Sequence, residues 1–238
     1  MKKLLLGIAA VCLAGFTFAQ DAPLWMRHSV ISPDGTTIAF TYKGDIYTVP
    51  VAGGRAMQIT TNPAYDTAPV WSPDSKRIAF ASDRMGSLDV YIVAKDGGEP
   101  RRLTTHSGSE TPLAFTDAGH VLFSAGIMPS AEAVVFPSNG QFNQVYRVSG
   151  EGGRPTMISS MPMECISINK EGAMLYQDKK GYEDYWRKHH VSPIARDIWM
   201  YTPGKEPQYR QLTTFGGEDR EPVWAPDGKT FYYLSEEN

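Results

Sequence analysis

One motif recurs along the whole chain, and its clearest copy is Trp71-Ser72-Pro73-Asp74-Ser75-Lys76-Arg77-Ile78-Ala79-Phe80. A second clear copy is Val223-Trp224-Ala225-Pro226-Asp227-Gly228-Lys229-Thr230-Phe231-Tyr232-Tyr233. The motif repeats with a period of roughly 40 to 55 residues, which is typical of radial architectures that have several short strands in each unit. The repeat therefore predicts the fold class before any single residue is considered.

The middle of the motif predicts a tight turn between two strands. Its five copies begin at Ser32, Ser72, Thr116, Asn169 and Ala225. Proline presets the first central torsion of such a turn, aspartate bonds to the local backbone, and glycine supplies the left-handed position that closes a hairpin. Ser75 stands where this pattern expects glycine, and a left-handed backbone there should cost roughly 1 kcal/mol.

Each unit contains four segments that read as short antiparallel strands. The second segment, such as Ile78-Ala79-Phe80-Ala81, is apolar without alternation, which indicates a strand covered on both faces. The third, such as Asp89-Val90-Tyr91-Ile92-Val93, alternates and carries an aromatic residue at a constant place. A short outer strand follows, usually after Gly-Gly. The pattern predicts an all-β fold, a β-propeller of four-stranded antiparallel blades.

The repeat divides residues 20–238 into four complete blades and half of a fifth. The expected blades cover approximately the ranges 28–61, 69–105, 112–160, 164–214 and 222–238, the last of them incomplete. Because propellers close into rings to remove exposed strand edges, we expect a partial ring whose remainder lies outside this sequence. The alternative is a five-bladed ring closed by the N-terminal segment.

Residues 1–19 have the pattern of a secretory signal peptide. Lys2 and Lys3 precede an apolar segment at 4–16, and a small-residue cleavage site ends at Ala19, before Gln20. A lipoprotein signal that uses Cys12 is the less favoured alternative, because Val11 before it is larger than such sites usually accept. We therefore predict an exported protein, periplasmic or otherwise extracytoplasmic, without a membrane span after the signal is removed.

The composition excludes some classes of function. Removing Lys2 and Lys3 from the 23 basic residues leaves 21, against 26 acidic ones, and this balance does not favour nucleic-acid binding. Cys165 is then the only cysteine, so an intramolecular disulfide is impossible. We expect it to be a small buried apolar residue at the start of the fourth blade.

The blades differ in the loop between their second and third strands. This loop is about 20 residues long in the third blade, at 125–143, and again in the fourth, at 177–196. Long loops on a rigid scaffold commonly carry function. The candidate contact residues for a peptide or another domain are in the fourth-blade loop: Tyr182, Tyr185, Trp186, Arg187, His189 and His190. In the alternative interpretation, the three aromatic residues only pin this loop to the propeller.

The sequence predicts neither a catalytic site nor a cofactor within these 238 residues. No Gly-x-Ser-x-Gly elbow occurs, and His28, His106 and His120 fall in strands or turns of the repeat, where a structural role is the default. His189 and His190 are adjacent and therefore point in divergent directions, so we predict no metal site.

The blade motif resembles the TolB-like propeller repeat over essentially the whole chain after the signal. Two further segments resemble the N-terminal propeller of tricorn proteases. One is the opening, from Leu24-Trp25-Met26-Arg27-His28 to Tyr42-Lys43-Gly44-Asp45-Ile46-Tyr47. The other is Lys180-Gly181-Tyr182-Glu183-Asp184-Tyr185-Trp186-Arg187-Lys188-His189-His190, which runs into Arg196-Asp197-Ile198-Trp199.

This resemblance implies a truncated six-bladed propeller followed in the parent protein by a second propeller, a PDZ domain and a serine peptidase core. It implies peptides or unfolded polypeptide as partners, a homo-oligomer, and a gating role for the propeller. None of the family's catalytic residues has a matching position here. A stand-alone periplasmic TolB-like binding propeller remains an alternative, and the propeller of a prolyl-oligopeptidase-type enzyme is a third.

Overall fold

The computed structural model describes residues 25–117, 119–126, 143–179 and 192–237. Within these ranges every regular element is a β-strand, and the strands form four sheets of four strands and one sheet of two. Strands follow their sequence order in each sheet, and all pairs are antiparallel. The predicted all-β propeller is confirmed, with four complete blades and half of a fifth.

The first blade contains β1 (Arg27–Ile31), β2 (Thr37–Tyr42), β3 (Asp45–Pro50) and β4 (Met57–Gln58). The second contains β5 (Asp66–Trp71), β6 (Arg77–Ser82), β7 (Asp89–Ala94) and β8 (Arg101–Arg102). The third contains β9 (Glu110–Asp117), β10 (His120–Ala125), β11 (Gln144–Ser149) and β12 (Thr156–Ser159). The fourth contains β13 (Met163–Ile168), β14 (Met174–Asp178), β15 (Ile198–Thr202) and β16 (Gln208–Gln211). The fifth contains β17 (Asp219–Trp224) and β18 (Phe231–Ser235).

The core lies between blades. The second strands of the four complete blades are largely buried, and Ile78, Ala79 and Phe80 of β6 are all 0% exposed. The buried apolar residues form clusters that each join two neighbouring blades, the first with the second, the second with the third, and the third with the fourth. A single blade therefore buries its second strand only when it has neighbours, as the unalternating apolar runs predicted.

The turn between the first and second strands is held by its own side chains. In the second blade the Ser72 hydroxyl donates to Asp74 over 2.6 Å, and Asp74 accepts the Lys76 N–H over 3.1 Å. The Arg77 N–H in turn donates to the Ser72 hydroxyl over 2.9 Å. The hydrogen bond from Ser72 holds the pKa of Asp74 below its ordinary value. The predicted bond of aspartate to the local backbone is confirmed, and the serine hydroxyl adds two further bonds to this turn.

Ser75 has the left-handed backbone that the turn requires, with φ at 58°. Its side chain is buried, and its hydroxyl accepts the N–H of Asp34 in the first-blade turn over 3.1 Å. Glycine would remove the strain of this conformation but would also remove this bond between blades. The departure from glycine is therefore explained by a contact between two turns.

The first strands lie on the inner side of the arc, since they contact one another from blade to blade in chain order. In four blades they pair with the second strand through a bulge, at which His28, Ala68, Cys165 and Glu221 have φ between 50° and 53°. Non-glycine residues seldom adopt this region. In β9 the same position is Pro112, whose ring fixes a negative φ, and the irregularity lies between the partners of Leu122 and Phe123.

Cys165 was wrongly expected to be buried, because it occupies this bulge. The left-handed turn of the backbone points it out of the blade stack, and its side chain is exposed. Partial burial of the thiol, together with the carboxylates of Glu221 and Glu164, nevertheless raises its pKa to about 11. Cys165 is therefore a neutral thiol at physiological pH.

Substitutions of Ser75 can distinguish the cost of its left-handed backbone from the contribution of its hydrogen bond with Asp34. We expect Ser75→Ala to lower the free energy of unfolding by about 1 kcal/mol, because it keeps the left-handed strain and loses the bond to Asp34. Ser75→Gly should leave stability unchanged to within about 0.5 kcal/mol, because the two effects offset each other. Urea denaturation of both variants measures this, and equal stabilities for the two would contradict the explanation.

The fifth blade exposes apolar surface that the other blades cover. Tyr232 and Leu234 of β18 are 70% and 57% exposed, and Val223 of β17 is 55% exposed. We expect the 238-residue chain to bind the dye ANS and to self-associate. Leu234→Lys should reduce both without lowering the melting temperature, whereas Leu122→Lys, at a residue 0% exposed, should prevent folding. Dye binding that is unaltered by Leu234→Lys would place the exposed surface elsewhere.

Candidate functional site on the insertion rim

The insertion rim is the end of the blades where the loops between second and third strands and the connections between blades emerge. Backbone bonds join these two kinds of connection, since the Asp66 N–H donates to the Gly44 carbonyl over 2.7 Å and the Glu110 N–H to the Leu88 carbonyl, also over 2.7 Å. In the fourth blade the Asp219 N–H donates to the Arg196 carbonyl over 3.0 Å. In the first, second and fourth blades, the loop between the second and third strands is thus tied to the first strand of the next blade.

The structure locates both insertions on this rim. The third-blade loop leaves after β10 and returns at β11, and the fourth-blade loop leaves after β14 and returns before β15. The six candidate contact residues, Tyr182, Tyr185, Trp186, Arg187, His189 and His190, lie outside the described residues. So do Ala19 and Gln20 at the expected cleavage site. The described residues on either side of the fourth-blade loop define its base.

A charged cluster anchors this base to the innermost strand of the fourth blade. Glu164 on β13 pairs with Lys179 over 3.1 Å and with Arg196 over 3.5 Å, and it accepts a bond from the Gln177 amide over 3.1 Å. Burial alone would raise the pKa of Glu164, but the positive charge of Lys179 and these bonds hold it below its ordinary value. Arg196 also pairs with Glu218 over 3.3 Å. The loop therefore begins and returns beside the inner side of the arc.

A second set of bonds locks the two ends of the loop to each other. The Asp197 N–H donates to the Asp178 carboxylate over 2.9 Å, and the Trp199 indole N–H donates to its other oxygen over 3.1 Å. After the loop, the Ser192 N–H donates to the Gly216 carbonyl over 3.1 Å. The base of the fourth-blade loop is thus fixed by bonds between the described residues on either side of it.

The histidines among the described residues make local contacts. His28 Nδ1 lies 3.0 Å from the Thr67 hydroxyl and links the first strands of two blades, and burial lowers the pKa of His28. His120 pairs with Asp117 over 3.0 Å in the turn between β9 and β10. Within the described ranges, no cluster of three histidine, cysteine or acidic side chains has metal-binding geometry. No helix in these ranges is long and apolar enough to cross a membrane.

Sequence reasoning missed a second charged feature of the rim. The first residues of β5, β9 and β17 are Asp66, Glu110 and Asp219, and each is at most 1% exposed. Each precedes the first position of its blade's turn by six residues, a regularity that alignment of the repeats could have detected. Acidic residues at the buried start of a strand require a partner. Asp66 has Arg84 of its own blade as its partner, whereas the groups that act on Glu110 belong to the second blade or to the connection that follows it.

Comparison with known proteins identifies the scaffold. A sequence profile of the tricorn protease N-terminal beta propeller domain matches residues 23–238. Tricorn protease homolog 1 of Streptomyces coelicolor is 24% identical over 211 residues, which are 88% of this chain and 19% of that protein. The chain thus spans about a fifth of the length of this relative.

Two solved structures share the fold. The crystal structure of the tricorn protease aligns with a TM-score of 0.66 at 18% identity, covering 89% of this chain and 21% of the other. A putative TolB from Agrobacterium tumefaciens aligns with a TM-score of 0.68 at 17% identity, covering 89% of this chain and 70% of the other. At these identities the structures show the fold alone, whereas the profile covers nearly the whole chain. The chain therefore belongs to the family of tricorn protease N-terminal β-propeller domains.

Proposed function

We propose that this chain is the N-terminal propeller part of an exported tricorn-like serine protease. It binds or gates peptides for a peptidase domain elsewhere in the parent protein and does not itself cleave them. The family profile over residues 23–238 carries this proposal. The opening signal pattern supports export to the periplasm, since residues 1–19 combine a basic start, an apolar segment and a small-residue cleavage site.

The geometry of the insertion rim favours contact with polypeptide. Glu164, which anchors the fourth-blade loop, lies on the innermost strand, so the loop base is beside the path that a peptide would take along the inner side of the arc. The loop combines aromatic and charged residues, the composition that protein-binding surfaces favour. Its six candidate residues would thus contact a peptide or a neighbouring domain of a homo-oligomeric parent protein.

A stand-alone TolB-like binding propeller is the second candidate. The observation in its favour is the structural likeness to a putative TolB, whose TM-score of 0.68 is as high as the value of 0.66 for the tricorn protease. Such a protein would complete its ring and bind envelope proteins without any peptidase domain. Sequencing the gene beyond codon 238 distinguishes the two, because only the first proposal requires a PDZ domain and a serine peptidase core there.

The division between binding and cleavage can be measured with fluorescein-labelled casein, an unfolded polypeptide. We expect the 238-residue chain to bind it, as fluorescence anisotropy would show, and to leave it intact. The full-length parent should cleave it and lose this activity on treatment with a serine-directed inhibitor. Cleavage by the purified 238-residue chain would contradict the assignment of a non-catalytic role.

Alanine substitution of Tyr182, Tyr185 and Trp186 tests the insertion. If these side chains contact peptide, each variant should bind casein about five- to tenfold more weakly with an unchanged melting temperature. Tyr65→Ala is the matched control, because Tyr65 is 41% exposed in the connection between the first and second blades. A parallel loss of binding and melting temperature in the loop variants alone would show that the aromatic residues pin the loop instead.

Substitution of Glu164 tests whether its ion pairs restrain the fourth-blade loop. Glu164→Gln leaves Lys179 and Arg196 without their shared carboxylate and should lower the free energy of unfolding by about 1 kcal/mol. We expect trypsin to cut within residues 180–191 about fivefold faster, as limited proteolysis would show. Glu99→Gln, the same change at an exposed residue, should alter neither quantity. Unchanged cleavage in Glu164→Gln would show that the anchor does not restrain the loop.

A further inference from the structure

The boundary between the second and third blades holds two buried acids next to each other. Asp89, the first residue of β7, is 0% exposed, and Glu110, the first residue of β9, is 1% exposed. The two side chains are close enough that the charge of Asp89 acts directly on Glu110. Their carboxyl groups lie on opposite sides of the contact between the two blades, which we call the 2–3 seam.

In the corresponding seam between the first and second blades, the acidic residues have different partners. Asp66 has the position of Glu110, and both of its oxygens accept bonds from Arg84, over 3.0 and 2.9 Å. Asp45 has the position of Asp89, and it accepts bonds from the Gln58 amide over 3.0 Å and from the Thr60 hydroxyl over 3.3 Å. Among the described residues, this seam therefore has one guanidinium for two carboxyl groups, and here the guanidinium bonds the acid at the start of the first strand.

Among the described residues of the 2–3 seam, one guanidinium, that of Arg102, acts on the two carboxyl groups. Arg102 of β8 lies 2.8 Å from Asp89. The groups that act on Glu110 are the Thr104 hydroxyl, Asp89 and, at longer range, Arg102. Both carboxyl oxygens of Glu110 are buried, and neither has a hydrogen-bond partner with good distance and angle among the described residues. His106, Glu151 and Arg154 line the groove that leads from solvent towards it.

We propose that one proton is held between Asp89 and Glu110 at mildly acidic pH, which makes the 2–3 seam a proton-binding site that loosens when the proton leaves. A buried pair of carboxyl groups shares one proton, because two adjacent negative charges without a matching cation are strongly unfavourable. With the proton bound, the pair carries one negative charge, and Arg102 balances it. Glu110 then acts as a hydrogen-bond donor to Asp89.

The environment of Glu110 determines how the stability of the folded protein changes with pH. Burial, and then the charge of Asp89, raise the pKa of Glu110 from 4.5 to about 7, although the Thr104 hydroxyl and Arg102 act in the opposite direction. The folded protein therefore binds this proton more tightly than the unfolded chain does. The stabilisation is fully present below about pH 4.5 and is lost as the pH rises through about 7.

The seam between the third and fourth blades shows that this position does not need an acid. There Met163 replaces Glu110, Gln144 replaces Asp89, and Met157 stands in place of Arg102. Met163 is 3% exposed, so an uncharged side chain fills the same buried place at the start of a first strand. Packing alone therefore does not account for a carboxyl group at residue 110.

A metal ion fits the pair less well than a proton. Arg102 already places a positive charge 2.8 Å from Asp89, and a cation between the carboxylates would be repelled by it. No third acidic, histidine or cysteine ligand completes a cluster here among the described residues. The proposal does not depend on the protease function, since it concerns only the contact between two blades of this chain.

Hydrogen exchange read by mass spectrometry tests the seam directly in the full chain. After correction for the intrinsic pH dependence of exchange, we expect protection of β7 and β9 to fall about tenfold between pH 5.5 and 8. In Glu110→Gln the same peptides should keep nearly constant protection, because the neutral amide cannot lose a proton. An equal fall in the wild type and in Glu110→Gln would overturn the proposal.

Two more variants keep the test decisive. Glu110→Met copies Met163 and should give the same pH-independent protection if the glutamine variant folds poorly. Asp66→Asn is the matched control in the other seam, and it should lower the melting temperature at every pH, because Arg84 loses its partner, while the response of the 2–3 seam remains. Restoration of wild-type protection at pH 8 by calcium chloride, with no such effect in Glu110→Gln, would assign the pair to a cation and overturn the proton site.

Discussion

Every blade depends on its neighbours to cover its second strand. Phe80 of β6 is 0% exposed, and its ring lies 5.9 Å from that of Tyr91 in its own blade, within a cluster that extends to Ile46 and Ile59 of the first blade. An isolated four-stranded sheet would leave one of these faces in water. Stability therefore comes from the stack of blades, and the exposed side chains of β18 show what a blade lacks when one cover is missing.

The two ends of a blade are held by different kinds of interaction. The turns between first and second strands use short local bonds, such as those of Ser72 and Asp74, and they form within a few residues. The insertion rim uses pairs of charged groups from separate segments, either within one blade, such as Asp66 with Arg84, or between blades, such as Arg196 with Glu218. The turns can thus be the same in nearly every blade, whereas the rim varies from one seam to the next.

This difference explains what the sequence could predict. The strand order, the turns and the left-handed backbone at Ser75 follow from local chemistry, so the repeat predicted them. The bulge that exposes Cys165 carries no glycine signal, because the register of pairing between β13 and β14 imposes it. The partners of Glu110 were equally hidden, since they belong to another blade. The six residues proposed to contact peptide lie outside the described chain and stay a prediction.

The proposed peptide contacts and the proposed proton site belong to different parts of the propeller. Both long insertions belong to the third and fourth blades, and the seam that joins these blades has Gln144 and Met163 in place of two acids. That seam cannot gain or lose a proton at these positions. A change in the protonation of Glu110 would therefore act on the contact between the second and third blades, while the two blades that carry the insertions stay joined. The third and fourth blades would then shift as one unit against the first two blades.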